Sequence, residues 1–432
     1  MPKPISTPPG FSFIRNYGGI TEYRLRSNDM RILTMADHAL PVAVCMVTYH
    51  VGSRNEVTGN TGATHLLEHL MFKDSKKFRR KNGKDVWTNL EGKGAHINAT
   101  TWLDRTNYFE IVPKKLLFEA LAFEADRMRN ALLLEKDRAA EMTVVRNEFE
   151  RGENEPTEAV EKQLWALAYQ AHPYHHSTIG WRSDIEKVPI EKLREFYDTF
   201  YWPNNATLTV IGDFDEKKVF KKIRATFGRL SPSPHPIPVI YTEEPPQAGS
   251  RQALVERRGA TNITALAYKT PAALHPDMPS VQILGRVFAG GKESRLYRAL
   301  VDGGFASDLA LANMPLQDGG LCSVYAFLNE KASHGEILSL MRREAAKIKT
   351  HGVTLRELAG VKGRARAETA MSRDGVYALA ASLNEAIAVG DWKLFVDYEK
   401  KLKAVTATDV KKAAEKYFND AQSTSCFYIA KK

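Results

Sequence analysis

The stretch GATHLLEHLMFK at 62 to 73 sets His65, Glu68 and His69 inside an otherwise apolar run. Its pattern predicts a helix over 60–72. On a helix, residues i and i+4 share a face, so both imidazoles can reach one ion. Glu68, three residues past His65, reaches the same side. Two neutral imidazoles suit zinc. A working zinc centre needs a third protein ligand, an open position for water and a nearby carboxylate as general base. The segment EKDRAAEMTVVRNEFER, 135 to 151, reads as a helix on which Glu141 and Glu148 lie seven residues apart, two turns on one face. Either could complete a His, His, Glu set while the other orients a ligand. Both also read as ordinary solvated glutamates.

Elements around these residues must hold them in place. LPVAVCMVTYHVG (40–52) is rich in β-branched residues and NYFEIVP (107–113) is similar, so both read as strands. Residues 114–130 carry Leu117, Ala120, Leu121 and Phe123 at helical spacing. A longer regularity sits above these. VPIEKLREFYDTFYWPNNATLTVIGDFD from Val188 and VTATDVKKAAEKYFNDAQSTSCFYIAKK from Val405 each read as a capped amphipathic helix, an aromatic pair, a polar turn and a strand. The same offset lays HLLEHLMF (65–72) on QILGRVFA (282–289). An offset that holds at two separate places predicts a duplicated domain. The expected division is a repeat over 1–230, a proline-rich linker SPSPHPIPVIYTEEPPQAG at 231–249, and a second repeat over 250–432. The expected fold class is α+β, with a mainly antiparallel sheet flanked by helices in each repeat.

Bulk properties narrow the function. At 432 residues the chain exceeds one ordinary core. No apolar run is long enough to span a bilayer. The opening MPKPISTPPGFSF shows no apolar leader; the cytoplasm is the default compartment, and a bacterial periplasm fits a processed N-terminus. Cys45, Cys322 and Cys426 are odd in number and far apart, which argues against a disulfide framework or a cysteine metal site. The net charge is +10, with one basic run, KDSKKFRRKNGK at 73–84. Its plain reading is a solvated loop. No nucleic-acid module accompanies it, so nucleic acid is not an expected partner.

The order H-x-x-E-H is the inverted form of the zinc-peptidase helix. With it come NATTWLDRTNYFE (98–110), EMTVVRNEFERGENEP from 141, HPYHHSTIGW (172–181) and FYWPNNATLTVIGDF. In this order the motifs resemble the pitrilysin, insulin-degrading enzyme and mitochondrial processing peptidase family, and the likeness covers nearly the whole chain. The resemblance implies a zinc metalloendopeptidase binding one zinc ion. His65, His69 and Glu148 are then the ligands. Glu68 is the catalytic base and Glu141 a supporting catalytic glutamate. Asn98, Ala99 and Thr100 are then the edge strand on which an extended peptide substrate pairs through its main chain. Asn98 also reads as a turn or bulge residue. The loop histidines His172, His175 and His176 read as structural, and His96 as an ordinary histidine.

The second half lacks this chemistry. Gln282, Gly285 and Arg286 fall opposite His65, Glu68 and His69, and Leu358 and Ala365 opposite the two glutamates. The resemblance implies an inactive repeat forming one wall of a substrate chamber, so that the chain is half of a clamshell. The family also carries an arginine and a tyrosine in this half, which polarise the substrate carbonyl. Here Val301 and Ser307 stand at those positions. Only FAGGKES (288–294) stands where the family's non-catalytic subunit has a long glycine-rich loop. The expected reading is the catalytic subunit of a heterodimer. Its partner is a homologous subunit lacking the zinc motif and carrying the Arg/Tyr pair. The rival expectation is a non-catalytic peptide-binding or assembly subunit.

Overall fold

The computed structural model describes residues 7–431. Residues 1–6 and the final lysine lie outside them. A first sheet contains β1 (Phe11–Tyr17), β2 (Ile20–Leu25), β3 (Arg31–Ala36), β4 (Val42–Tyr49), β5 (His96–Thr101), β6 (Thr106–Pro113) and β7 (Ala206–Gly212), in the order β1-β2-β3-β7-β4-β6-β5. A second contains β8 (Arg251–Arg258), β9 (Ile263–Lys269), β10 (Ala306–Asn313), β11 (Leu321–Leu328) and β12 (Ser423–Lys431), in the order β10-β11-β9-β12-β8. Each sheet is antiparallel except for one parallel pair, β3 with β7 and β8 with β12. Removing β1 and β2 leaves five strands in the first sheet. Read from the parallel pair outward, the order β3-β7-β4-β6-β5 is matched by β8-β12-β9-β11-β10. The same plan is used twice, and the fold class is α+β.

Among the longer helices, beside Glu216–Thr226 and Lys393–Ala404, five in each half follow the same repeat. In the first half they are α1 (Ala63–Leu70), α2 (Leu117–Asn130), α3 (Glu135–Glu153), α4 (Pro156–Ala168) and α5 (Ile190–Phe200). In the second half they are α6 (Met278–Ala289), α7 (His334–His351), α8 (Leu355–Met371), α9 (Val376–Ala388) and α10 (Ala407–Tyr417). The helix predicted over 60–72 begins only at Ala63, because Gly62 has φ of 83°, a left-handed conformation that a right-handed helix cannot contain.

The packing units do not follow the two contiguous halves. One unit takes the chain up to Asn147, then Thr178–Tyr241 and Ser372–Val396. The other takes Glu148–Ser177, Thr242–Met371 and Asp397 onward. In the first unit α9, from the second half, packs on β4 and β7. Ala380, Leu383, Ile387 and Trp392 join Val44, Met46, Phe109 and Ile211 in one buried cluster. The Trp392 indole donates to Glu22 Oε2 at 2.9 Å, and Thr48 Oγ1 donates to Asn384 Oδ1 at 2.7 Å. With α2 also packed on β4 and β6, these central strands are buried along nearly their whole length. That accounts for their near-continuous apolar runs. In the second unit α4, from the first half, packs on β8, β9 and β12. Each repeat thus lends its fourth helix to the other repeat's sheet.

In the second unit, the positions opposite the site residues serve packing. Leu358 and Ala365 belong to the buried core of the second sheet. A Cβ added to Gly285 would lie 2.5 Å from Asn313 Nδ2, so α6 approaches β10 closely only because glycine stands there. Arg286 is paired with Glu368.

Candidate metal centre

The helix that presents the histidines is fixed at its N-terminus. Buried Glu56 accepts from Gly62 N at 2.8 Å through Oε2 and from Thr64 N at 2.7 Å through Oε1. One carboxylate thus satisfies two of the donors that a helix start leaves open. Below the turn, Asp184 Oδ2 accepts from Gly59 N, Thr61 N and Thr61 Oγ1 at 3.1, 3.1 and 2.7 Å. Gly62 also faces the segment around Gly180 so closely that a Cβ would lie 2.4 Å from the Ile179 carbonyl oxygen. The Ile-Gly-Trp loop is therefore a support for α1, which accounts for its place in the motif series.

On α1, the rings of His65 and His69 lie with centroids 4.9 Å apart and nearly perpendicular. His69 Nδ1 is 3.0 Å from Glu141 Oε2, and Glu141 Oε1 is 2.5 Å from Lys73 Nζ. Burial alone would raise the Glu141 pKa, but the hydrogen bonds from Lys73 and His69 outweigh it and hold this carboxyl below its usual range. An ionised Glu141 fixes the His69 tautomer with the proton on Nδ1, so the nitrogen offered to an ion is Nε2. Glu141 and Glu148 ride on the one unbroken helix α3; the boundary between the packing units passes along this helix after Asn147. One ligand atom each from His65, His69 and Glu148 lie within 4.8 Å of one another. Burial, and then His69, hold His65 down to about 4, so it is neutral at neutral pH, as a metal ligand must be. Two neutral imidazoles and a carboxylate are the donor set of a three-ligand catalytic zinc site, and the residues fit that ion. Of the two glutamates left open by spacing, Glu148 is grouped with the histidines and Glu141 lies behind one of them.

Glu68 also meets β5: Thr101 Oγ1 donates to Glu68 Oε2. Thr101 ends β5, which among the described residues pairs only with β6 and forms the edge of its sheet. The predicted substrate residues lie on that strand. Asn98 and Thr100 are exposed and Ala99 is buried, as alternation requires. Asn98 Oδ1 accepts from Ala99 N at 2.9 Å, so its side chain is engaged locally. Arg105 donates from Nη1 to the Thr100 carbonyl at 3.0 Å and also to Thr100 Oγ1. Its Nη2 donates to Glu385 Oε1 at 2.6 Å, and Asn384 Nδ2 donates to the same oxygen at 3.1 Å. The strand end that meets Glu68 is thus fastened to α9. Glu56, Lys73, Thr101 and Arg105 were not singled out from sequence. Only the adjacency of Lys73 to the motif and of Thr101 to Asn98–Thr100 offered a signal.

Two expectations follow. Arg105→Ala should lower turnover about tenfold through misplacement of Thr101, with KM little changed. Added to Thr101→Val it should cost almost nothing more, because both act through one contact. Steady-state kinetics of the two single variants and the double variant check this, and additive losses would refute it. The second concerns acid. His50, 3.1 Å from Thr207 Oγ1, is held down to about 4 by burial, as is His65. From about pH 6.5 down to about 4 the unfolded chain gains protons that the folded one does not, so stability should fall across that window. Glu56 acts oppositely. Burial pushes it up to about 8 against the hydrogen bonds from Thr64 and Gly62, so its contribution is present below about pH 4.5 and lost as pH rises toward 8. Melting curves of the metal-free protein should therefore flatten between pH 6.5 and 4 in His65→Ala, and between 4.5 and 8 in Glu56→Gln.

Elsewhere, Val301 is partly buried against the second core, and exposed Ser307 donates to the Phe327 carbonyl at 3.3 Å. Neither position offers an arginine or tyrosine. Of the loop histidines, His172 reaches across the sequence, with Nε2 3.0 Å from Asp318 Oδ2, while His175 Nδ1 lies 3.0 Å from the His172 carbonyl and His176 Nδ1 3.2 Å from the Ser177 carbonyl.

One five-strand plan used twice, with a His, His, Glu cluster on the first copy and packing residues in its place on the second, defines a class. It is a duplicated α+β chain with one potential metal centre among the described residues. Residues 31–181 match the model for insulinase (peptidase family M16), and residues 187–364 match the peptidase M16 inactive domain. The chain belongs to peptidase family M16. The zinc protease PqqE of Helicobacter pylori is 32% identical over 392 residues, covering 88% of this chain and 86% of that protein. The mitochondrial-processing peptidase subunit beta of Bos taurus is 26% identical over 403 residues, covering 90% and 80%. The crystal structure of a protease from Helicobacter pylori superposes with a TM-score of 0.87 at 28% identity, covering 98% of this chain and all of that one. A peptidase M16 inactive domain from Pseudomonas fluorescens shares the fold, with a TM-score of 0.83 at 18% identity over 96% of this chain and 99% of that one. No helix among the described residues is long and apolar enough to cross a membrane.

Proposed function

We propose that this chain is a zinc-dependent endopeptidase that hydrolyses peptides or unfolded segments within an enclosed chamber, as the catalytic subunit of a heterodimer. The observation that carries the reading is the grouping of His65, His69 and Glu148 ligand atoms within 4.8 Å, with Glu68 on the same short helix. His65, His69 and Glu148 hold the ion, and Glu141 orients His69. Zinc bound there would supply a Lewis acid that polarises a carbonyl and makes water more acidic. Glu68 takes the proton from the attacking water and passes it to the leaving amine, held for that task by Thr101. The edge of β5 takes an extended peptide by main-chain pairing, with Asn98, Ala99 and Thr100 along it.

The partner half of the proposal rests on Val301 and Ser307, which cannot donate to an oxyanion as an arginine and tyrosine do. Such donors are often the largest catalytic term. A homologous subunit without the metal motif but with the pair would supply them. The similarity to a protein named as a processing-peptidase subunit supports this. The same missing pair favours a second reading, a non-catalytic peptide-binding or assembly subunit.

The test is peptide hydrolysis by the purified chain, zinc-loaded, alone and with a homologous subunit that carries the pair. Wild type should bind about one zinc per chain, and Glu148→Gln should weaken binding by at least about tenfold. Turnover that appears only on mixing supports the heterodimer. Robust turnover alone removes the partner, and zinc binding without turnover in either case favours the second reading.

A further inference from the structure

The chain's net charge of +10 is concentrated in one place. Residues 73–84 hold seven Lys or Arg against one Asp, six of the ten surplus charges. Lys76, Lys77, Arg80, Lys81 and Lys84 are exposed, and none of the five makes a side-chain ion pair among the described residues. The segment is nevertheless moored. Lys73 is bound to Glu141, Ser75 Oγ donates to Asp126 Oδ2 at 2.7 Å, and Lys77 N donates to the same oxygen at 2.9 Å. Lys76 N donates to the Asn130 carbonyl and Leu132 N to the Asp74 carbonyl, at 2.9 and 3.0 Å, and Asp74 Oδ1 accepts from Arg80 N at 2.9 Å. The Phe78 ring packs edge-on against Phe123 at 5.3 Å. Just beyond, half-exposed Trp87 stacks on Phe72 at 5.5 Å. These ties hold the backbone of the basic segment in place and leave that row of cations exposed.

The row's position in the chain names what meets it. It lies in the connection between α1, which carries the histidines, and β5, on whose edge a peptide would pair. A peptide reaching Glu68 along β5 therefore lies beside elements that the basic segment joins. Cations grouped there raise the local concentration of anionic ligands and speed their capture. We propose that residues 73–84 select acidic peptides, extended substrates with clustered Asp and Glu beside the cleaved bond. The inference rests on the peptidase reading and deepens it.

The test uses two fluorogenic peptides of equal length that share a cleavage core, one flanked by Asp and Glu and the other by Lys and Arg. Wild type should favour the acidic peptide in kcat/KM by about tenfold or more at low salt. The preference should shrink as salt rises from about 0.05 to about 0.5 M. The triple variant Lys76→Glu, Arg80→Glu, Lys81→Glu should raise KM for the acidic peptide about tenfold, lower it for the basic one, and leave kcat within about twofold. Equal use of both peptides by wild type overturns the inference. So does a variant that keeps its peptide preference while losing affinity for vesicles of phosphatidylcholine and phosphatidylglycerol, or for duplex DNA. If neither peptide is cut in a Glu68-dependent manner, the peptidase reading fails first. Fluorescence anisotropy of the two peptides on the Glu68→Gln protein then decides the loop's role, with tighter acidic binding supporting it and equal binding refuting it.

Discussion

Glu68→Gln is expected to reduce peptide turnover by about a thousandfold while zinc stays bound at wild-type stoichiometry. Glutamine keeps the size of the side chain and an oxygen for the Thr101 hydroxyl, so the contact in which Thr101 donates to Glu68 survives. What it lacks is a group that takes a proton. A positioned general base contributes about 10²–10⁴-fold. Metal binding should not change, because the clustered ligand atoms come from His65, His69 and Glu148. Turnover numbers paired with metal analysis on the same preparation make the measurement. A loss below about tenfold would remove Glu68 as the base, and loss of zinc together with activity would make it a ligand or a folding determinant.

The largest expected effect on stability belongs to a group outside the His65, His69 and Glu148 cluster. Arg127, on α2, is fully buried. Its guanidinium lies 3.1 Å from Glu110 Oε1 and is paired still more closely with Glu124. It also stands over the rings of Tyr108, Phe123 and Phe72 at 4.3, 4.6 and 5.1 Å. Burial, and then the neighbouring Glu124, push the Glu110 carboxyl well above the carboxylate range. The neutral form of Glu110 is thus favoured beside the contact between Arg127 and Glu124. Arg127→Met leaves a buried carboxylate without its partner, which costs about 3–5 kcal/mol. Combining it with Glu110→Leu and Glu124→Leu should recover most of that, because an apolar core of similar volume tolerates loss of the whole ionic group. Urea unfolding of the single and triple variants checks both. A single-variant loss under about 1 kcal/mol would show that the cluster relaxes or takes in water. Phe72 lies two residues past the end of the histidine helix and against the Arg127 guanidinium, so the single variant should also loosen the end of that helix.

Much of this was written in the spacing of the residues, though not all of it for the same reason. Local periodicity marks α2 because one apolar face repeats along it, while the largely polar α3 is marked by a helical run without glycine or proline before Gly152. Helical spacing placed Glu141 and Glu148 on one face but could not choose between them, since the choice depends on where α3 passes α1. The duplication was legible because helix, aromatic pair and strand recur at one offset, and the two sheets share one strand order. Glu56 and Arg105 were not legible. Arg105 acts with Glu385, 280 residues away, and nothing near either residue signals the pairing. Nor could periodicity tell which sheet α4 and α9 would cover, since an amphipathic helix states that it has a partner without naming it.

That exchange of helices bears on how the chain is made. The first sheet is complete by Gly212, yet α9, which closes one of its faces, begins only at Val376. During synthesis, well over a hundred further residues must leave the ribosome before that apolar surface is sealed. A fragment cut within the 231–249 linker would lack the covering helix for good. The two halves share one strand order, but neither is self-sufficient, and expressing the metal-bearing half alone should yield a sticky, incomplete protein rather than a minimal enzyme.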